Sequence, residues 1–102
     1  MRQPVTAKQL ASITEAVLTG DEMIEITDIS HDSRRVGKGG LFAAVAGSLF
    51  DAHKFVSQVM DEGAAGVLSQ RPAPENFHGV WLQVANIRRA MAWYTTHVHD
   101  VQ

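Results

Sequence analysis

The chain contains no cysteine among its 102 residues, and this absence removes several kinds of chemistry. Disulfide bonds, zinc sites built on thiolates and a cysteine nucleophile are all excluded. Neither sign of charge is in clear excess, because 9 Lys+Arg stand against 11 Asp+Glu for a net charge of −2. Since proteins that bind nucleic acids or anionic membranes through charge are usually basic, we expect neither partner.

Long apolar runs are also missing. The run from Leu41 to Ala46 is six residues long, whereas a helix that crosses a bilayer needs about 20. Residues Met1 to Pro4 lack the apolar core of a secretory signal peptide, so we expect a cytoplasmic location. The glycines at 37, 39 and 40 do not form a phosphate-binding loop, because no Gly-Lys-Ser/Thr follows them and a strand, not a helix, comes next.

What is present is an ordinary globular composition, with 45% hydrophobic and 20% charged residues. The length suits one domain. Hydrophobic periodicity, capping residues and glycines predict the order helix, strand, strand, helix, strand, strand, helix. The first helix is predicted over 7–18, with a capping box formed by Thr6 and Gln9 at its start and Gly20 as its stop. Strands are predicted over 23–29, 41–46, 65–69 and 80–84, and we expect the strand 41–46 to be buried on both faces. The second helix runs from Asp51 to Gly63, and Asn86 is the expected cap of the third. This order predicts an α/β fold, with a mixed sheet of about four to five strands and helices packed on its faces.

Two polar loops border the apolar strand 41–46. The first is His31-Asp32-Ser33-Arg34-Arg35, and the second is Gly47-Ser48-Leu49-Phe50-Asp51. Loops at the end of a buried strand lie where open α/β sheets bind ligands, and the second loop also opens a helix whose free N–H groups favour an anion. Ser33 and Ser48 offer hydroxyls, Arg34 offers a planar cation, and Gly47 allows close backbone approach. These features could hold a sugar phosphate or a nucleobase.

The same residues have plainer explanations. Asp32 and Ser33 could form a turn that caps its own backbone, with Arg34 as a solvated charge. His53, in the first turn of the second helix, could simply hydrogen-bond a neighbouring loop. No nucleophile, acid–base pair or metal-ligand set is recognisable, so we predict binding features and no catalytic residues in this chain.

Several motifs together resemble one family. They are Asp32 to Val36, Gly39 to Gly47, Asp51 to Phe55, Gly63 to Val67, and Val84 followed by Arg88 or Arg89 and Ala90. In this order and spacing they resemble the N-terminal domain of the Mur ligases. The resemblance favours the E-type, which adds the third amino acid to the peptidoglycan precursor. The F-type, which adds D-Ala-D-Ala, is the alternative. Gly40 and Ala52 depart from the family's usual aspartate and glycine at these positions.

The resemblance implies a role for the domain and for single residues. The domain would hold the uridine diphosphate end of UDP-N-acetylmuramoyl-dipeptide, with His31 lining the uracil site and Ser33 hydrogen-bonding the nucleotide. Ser48, Leu49 and Phe50 would close over the uridine diphosphate. Asp32, Arg34, Gly47, Asp51 and His53 are possible supporting residues.

The resemblance also carries expectations about the parent enzyme. The chain would be a single domain of an ATP-dependent amide ligase, lacking the central ATP-binding domain and the C-terminal domain. We expect no cofactor in this chain, ATP and Mg in the full-length enzyme, and the remaining domains of the same ligase as its partners. A non-catalytic protein-interaction module is the alternative from another class, and exposed tryptophans at positions 81 or 93 would favour it.

Overall fold

The computed structural model describes residues 5–45, 52–75 and 77–97, without the side chains of residues 52, 53 and 94–97. The helices are α1 (Ala7–Thr14), α2 (Val56–Asp61), preceded by a 3₁₀ turn over Ala52–Phe55, and α3 (Ile87–His97). The strands are β1 (Val5–Thr6), β2 (Val17–Thr19), β3 (Glu25–Ile26), β4 (Ile29–Ser30), β5 (Leu41–Ala43), β6 (Gly66–Ser69) and β7 (Val80–Gln83).

The main sheet has five strands in the order β2-β7-β6-β5-β4. Strands β4 to β7 run parallel to their neighbours, and β2 pairs antiparallel with β7. Strands β1 and β3 form a separate antiparallel pair. Helices cover the sheet, so the predicted α/β fold with a mixed sheet is confirmed.

Alternate residues of the central strands face two different cores, as the two-residue period of a strand requires. Leu41 and Ala43 of β5 pack into the core under α1 and α3, while Phe42 packs into the core under α2. All three residues are buried. The prediction of burial on both faces is therefore confirmed for these three residues, but the strand ends at Ala43, and Ala46 lies outside the described residues.

Helix α1 begins as its sequence predicts and ends earlier. Thr6 and Gln9 form the expected capping box, in which the Thr6 hydroxyl accepts from the Gln9 N–H at 3.1 Å and the Gln9 amide oxygen accepts from the Thr6 N–H at 2.9 Å. The helix ends at Thr14 because Glu15 adopts a left-handed conformation, with φ of 59°. Residues 17–19 then pair with β7. The predicted end near residue 18, with Gly20 as the stop, was wrong because pairing with the sheet overrides the helical pattern.

The predicted strand over 23–29 is two short strands in different sheets. Ile26 pairs with Val5, whereas Ile29 pairs with Leu41 of β5. Between them, the Thr27 N–H donates to the Gly39 carbonyl at 3.0 Å. The chain therefore passes from one sheet to the other within three residues, which alternation alone does not reveal.

No helix within the described ranges is both long enough and apolar enough to span a bilayer.

Candidate functional site

Strands β4, β5, β6 and β7 end at one edge of the sheet, which we call the carboxyl edge. They end after Ser30, Ala43, Ser69 and Gln83, respectively. In open α/β sheets, ligands bind in crevices outside the carboxyl ends of the strands. The loop 31–35 follows β4, which pairs in parallel with β5. The loop therefore lies beside the end of β5, as predicted, and the chain after β5 is described as far as Val45.

The loop after β4 is a tight turn that its own side chains organise. The Arg35 N–H donates to the Asp32 carbonyl at 2.9 Å, which closes a β-turn with Ser33 at its corner. One Asp32 carboxylate oxygen accepts from the Arg34 N–H at 2.9 Å, as in an Asx turn. On the other side, the Ser30 hydroxyl accepts from the Asp32 N–H at 3.1 Å. The prediction that Asp32 caps its own backbone is therefore confirmed.

The charges of the turn are paired. The Arg34 guanidinium donates to the two carboxylate oxygens of Asp32 at 3.1 and 3.2 Å, and Arg35 lies 3.7 Å from the same carboxylate. The side-chain hydrogen bond from Arg34, followed by the one from its backbone N–H, lowers the pKa of Asp32 below its ordinary value. The same bond raises the pKa of Arg34. Arg34 is exposed, but its charge is already engaged, so it is less available to a ligand than its sequence position suggests.

His31 lines a depression on the carboxyl edge. This depression, which we call the histidine depression, has a volume of about 450 Å³ and is lined by His31, Val45, Arg88 and Met91. Val45 is the last described residue before the second predicted loop. The first loop and the end of the apolar run 41–46 therefore line one cavity, and α3 contributes its third wall.

A second depression adjoins the first. We call it the central depression; its volume is about 580 Å³, and its lining includes Val45, Gln70, Arg71, Asn86 and Arg88. Val45 and Arg88 line both depressions. Together they form a groove across the ends of β4, β5, β6 and β7. Each volume falls within the range of about 300–1,000 Å³ that is typical of small-molecule sites.

The backbone around the central depression is held in place by side chains. The Gln70 amide oxygen accepts from the Ile87 N–H at 2.9 Å, and the Asn86 amide oxygen accepts from the Arg89 N–H at 3.0 Å. The predicted helix cap at Asn86 is therefore confirmed. Two of the first-turn N–H groups of α3 are therefore already satisfied by side chains of the groove.

A third depression, which we call the tryptophan depression, lies on the other side of Asn86. Its volume is about 390 Å³, and it is lined in part by Glu15, Asn86, Arg89 and Trp93. Arg88 and Arg89 are adjacent in the chain, yet they line different depressions. This separation provides a matched pair of arginines for experiments.

Part of the predicted site lies outside the described residues. These positions are Gly47, Ser48, Leu49, Phe50 and Asp51. The backbone of His53 lies in the 3₁₀ turn before α2, and its side chain is not among those described. Within the described ranges, no three histidine or acidic residues are grouped in a way that could hold a metal ion.

The sequence did not predict that Arg71, Asn86 and Arg88 line the candidate site. Asn86 was predicted only as a helix cap, and Arg88 or Arg89 only as part of a resembling helix. A signal was available, because all three positions follow the predicted ends of strands 65–69 and 80–84. Parallel pairing brings those ends beside the loop 31–35.

The tryptophans bear on the alternative of an interaction module. Trp81 is only 2% exposed; it packs edge-on against Phe77 with the ring centres 5.1 Å apart, and its indole N–H donates to the Arg71 carbonyl at 2.8 Å. Trp93 is 39% exposed. One of the two indoles is therefore a core residue, and the interaction module stays a prediction.

We compared the chain with protein families, with curated proteins and with solved structures. No protein-family model matches the chain. The chain is 40% identical over 68 residues to the UDP-N-acetylmuramoyl-L-alanyl-D-glutamate–2,6-diaminopimelate ligase of Solibacter usitatus, covering 67% of the chain and 14% of that enzyme. It is 38% identical over 63 residues to the UDP-N-acetylmuramoyl-tripeptide–D-alanyl-D-alanine ligase of Haemophilus influenzae, covering 62% of the chain and 14% of that enzyme.

A solved structure extends the likeness to the fold. A crystal structure of MurF from Acinetobacter baumannii matches with a TM-score of 0.76 and 35% identity, over 90% of the chain and 20% of that protein. The chain thus spans between 14% and 20% of the length of these relatives. Relatives of both ligase types match the chain, so the comparisons do not separate the two types.

Proposed function

The chain is a homologue of the N-terminal portion of the Mur ligases, and from this we propose that it binds the uridine diphosphate end of a UDP-N-acetylmuramoyl peptide at the carboxyl edge. The names of both kinds of relative begin with UDP-N-acetylmuramoyl, so this nucleotide is the part that their named substrates share. Binding of the nucleotide therefore does not depend on which ligase type the chain comes from.

The observation that carries the proposal is the groove formed by the histidine and central depressions. It joins the loop after β4, the end of β5 and the start of α3. Its lining combines an imidazole, two guanidiniums and two carboxamides with apolar side chains. A nucleoside diphosphate needs this combination, since its base is flat and polar at the rim and its phosphates are anionic.

Each residue that the resemblance points to has a proposed role at the carboxyl edge, and His31 is the one that lines the groove. His31 lines the base site, and Ser33, partly exposed at the corner of the turn, donates a hydrogen bond to the nucleotide. Asp32 acts indirectly by holding Arg34 and the turn. Ser48, Leu49 and Phe50 close over the uridine diphosphate, with Gly47, Asp51 and His53 in support.

The parent enzyme in this proposal is a cytoplasmic E-type ligase of peptidoglycan biosynthesis. ATP and Mg act on its other domains, where phosphorylation of the substrate carboxylate precedes attack by an amine. This chain supplies no catalytic residue. It anchors the nucleotide end and so turns binding energy into positioning of a distant carboxylate. The Ser33-Arg34-Arg35-Val36 stretch and the arginine-led α3 support the E-type, with the F-type as the alternative.

Titration of ¹⁵N-labelled chain with UDP tests the proposal. We expect amide shifts in His31 to Arg35, in residues 47–50 and at the start of α3. Shifts confined to the opposite edge of the sheet, at Gly63 to Ala65 before β6 and Gly79 before β7, would contradict the site. Absence of binding at millimolar UDP would contradict the function.

A substitution makes the test specific to Ser33. Ser33→Ala removes one neutral hydrogen bond, so we expect UDP binding to weaken about 2- to 10-fold. Ser12→Ala is the matched control, because Ser12 is exposed on α1 and is not among the described residues that line the three depressions. Equal effects of the two substitutions would remove Ser33 from the site.

A further inference from the structure

Arg88 lines both the histidine and the central depressions, and of the two described residues that do so, Val45 and Arg88, it is the charged one. It is exposed, and within the described part of the chain its guanidinium is not engaged in a hydrogen bond or an ion pair. A donor in this position can reach a ligand that extends from one depression into the other.

The other arginines near the carboxyl edge differ from Arg88. Arg34 and Arg35 are bound to the Asp32 carboxylate at 3.1 and 3.7 Å. A ligand that used Arg34 would have to compete with this ion pair. Arg89 lines the tryptophan depression, which lies beyond Asn86.

We propose that Arg88 is the residue that recognises the diphosphate of the bound nucleotide, with Arg71 across the central depression as a second contact. This inference rests on the proposed function. It adds the protein group, the Arg88 guanidinium, by which the site would bind a nucleoside diphosphate more tightly than a nucleoside. A guanidinium presents its N–H donors in a planar fork, which matches two phosphate oxygens at once.

The distribution of charge along the groove indicates how the nucleotide is oriented in it. Among the described residues, the lining of the histidine depression combines the proposed base contact, His31, with one arginine, Arg88. The central depression contains Arg71 and Arg88 together. A nucleotide with its base at His31 therefore directs its phosphates past Arg88 and towards Arg71, which is the cationic end of the groove.

Calorimetric titrations of the 102-residue chain with uridine and with UDP separate the two parts of the ligand. Arg88→Gln removes the charge and keeps a polar side chain of similar reach. We expect it to weaken UDP binding about 10-fold at low salt, since a hydrogen bond to a charged group is worth about 1.5 kcal/mol at the lower end of its range. Uridine affinity stays unchanged. The loss for UDP shrinks as salt screens the charge.

Arg89→Gln is the matched control, because it makes the same change one residue along the same helix. We expect it to leave the affinities for both ligands unchanged. Arg88→Lys keeps the charge without the fork, so its UDP affinity falls between those of the unsubstituted chain and Arg88→Gln. Far-UV circular dichroism verifies that each variant keeps its fold, which we expect because position 88 is exposed.

The outcomes of these titrations distinguish failure of the Arg88 role from failure of the proposed function. If the unsubstituted chain binds neither uridine nor UDP, the proposed function fails and the role of Arg88 fails with it. If the chain binds UDP but Arg88→Gln leaves the ratio of UDP to uridine affinity unchanged, only the role of Arg88 is overturned. Equal losses in Arg88→Gln and Arg89→Gln would mean a general charge effect and would overturn it too.

Discussion

Asp32 is the residue on which the loop after β4 depends. Its carboxylate accepts from the backbone N–H and the guanidinium of Arg34, and its carbonyl accepts from the Arg35 N–H at 2.9 Å. One short side chain therefore sets the conformation of the turn that contains Ser33 and that follows His31, which lines the groove. The arrangement is local in sequence, which is why the residues alone could predict it.

The turn should loosen in acid. The hydrogen bonds from Arg34 lower the pKa of the Asp32 carboxyl, so folding favours its ionised form. This contribution is present above the unfolded pKa, at roughly pH 4, and is lost as the pH falls through the lowered folded pKa. NMR titration should show the Arg34 and Arg35 amides shifting together with a midpoint below that of an unpaired aspartate.

Asp32→Asn provides the control for this titration. The asparagine oxygen can still accept from the Arg34 N–H, but the ion pair with the guanidinium is lost. We expect the acid transition at the Arg34 and Arg35 amides to disappear. A transition that persists in the variant, or a midpoint at the ordinary value, would show that the Asp32 carboxylate does not hold the turn.

The candidate site could be predicted only in part at the scale of single residues. His31, Asp32 and Ser33 were found because they stand together in the sequence. Arg88 was not assigned to the site, because 57 positions separate it from His31 in the chain. Their meeting depends on the strand order of the sheet, and no local pattern encodes that order.

At the scale of elements, strand β6 begins at a glycine that the sheet needs. A Cβ added to Gly66 would overlap the carbonyl oxygen of Val80, its partner in β7, and would lie 2.7 Å from the carbonyl carbon. The obstacle is backbone in a paired strand, so it cannot rotate away. Only a residue without a side chain fits.

Gly66→Ala should therefore destabilise the chain by about 1–3 kcal/mol, as overpacking a tight interior usually does. Gly37→Ala is the matched control, because a Cβ added there would meet nothing within 4 Å, and we expect a change of less than about 0.5 kcal/mol for it. Urea unfolding followed by circular dichroism measures both. Similar midpoints for the two variants would mean that β6 can shift away from β7.

The boundaries of the elements show what the sequence could predict. The start of α1 at Thr6 and the start of α3 at Asn86 were predicted, because capping is a local interaction between a side chain and the next turn. The end of α1 was not, because β2 forms only by pairing with β7, more than 60 residues further along the chain. Long-range pairing decides such ends, whatever the local preference.

At the scale of the whole molecule, strand β5 joins the two cores. Phe42 packs with Val59 and Trp81 under α2, while its neighbours Leu41 and Ala43 pack under α1 and α3. The groove lies at the end of this same strand. The geometry of the proposed site therefore depends on both cores, and we expect the sheet and its two layers to unfold together.

Two substitutions test this expectation, one in each core. Leu10→Ala, under α1, should cost about 2–5 kcal/mol, and Phe42→Ala, under α2, about 3–5 kcal/mol, since both side chains are fully buried. Trp81 lies in the core with Phe42, so its fluorescence in a Trp93→Phe background reports that core alone. Far-UV circular dichroism reports the helices and strands of the whole chain.

If the cores are coupled through β5, the two signals have the same midpoint in urea, both before and after either substitution. Leu10→Ala is the sharper of the two variants, because it removes packing on the face away from Trp81 and must still move the Trp81 transition to lower urea. A Trp81 transition that stays in place while the circular dichroism transition moves would mean that the layers unfold separately. The groove would then keep one wall while losing the other, and nucleotide binding would not stabilise the molecule as a single unit.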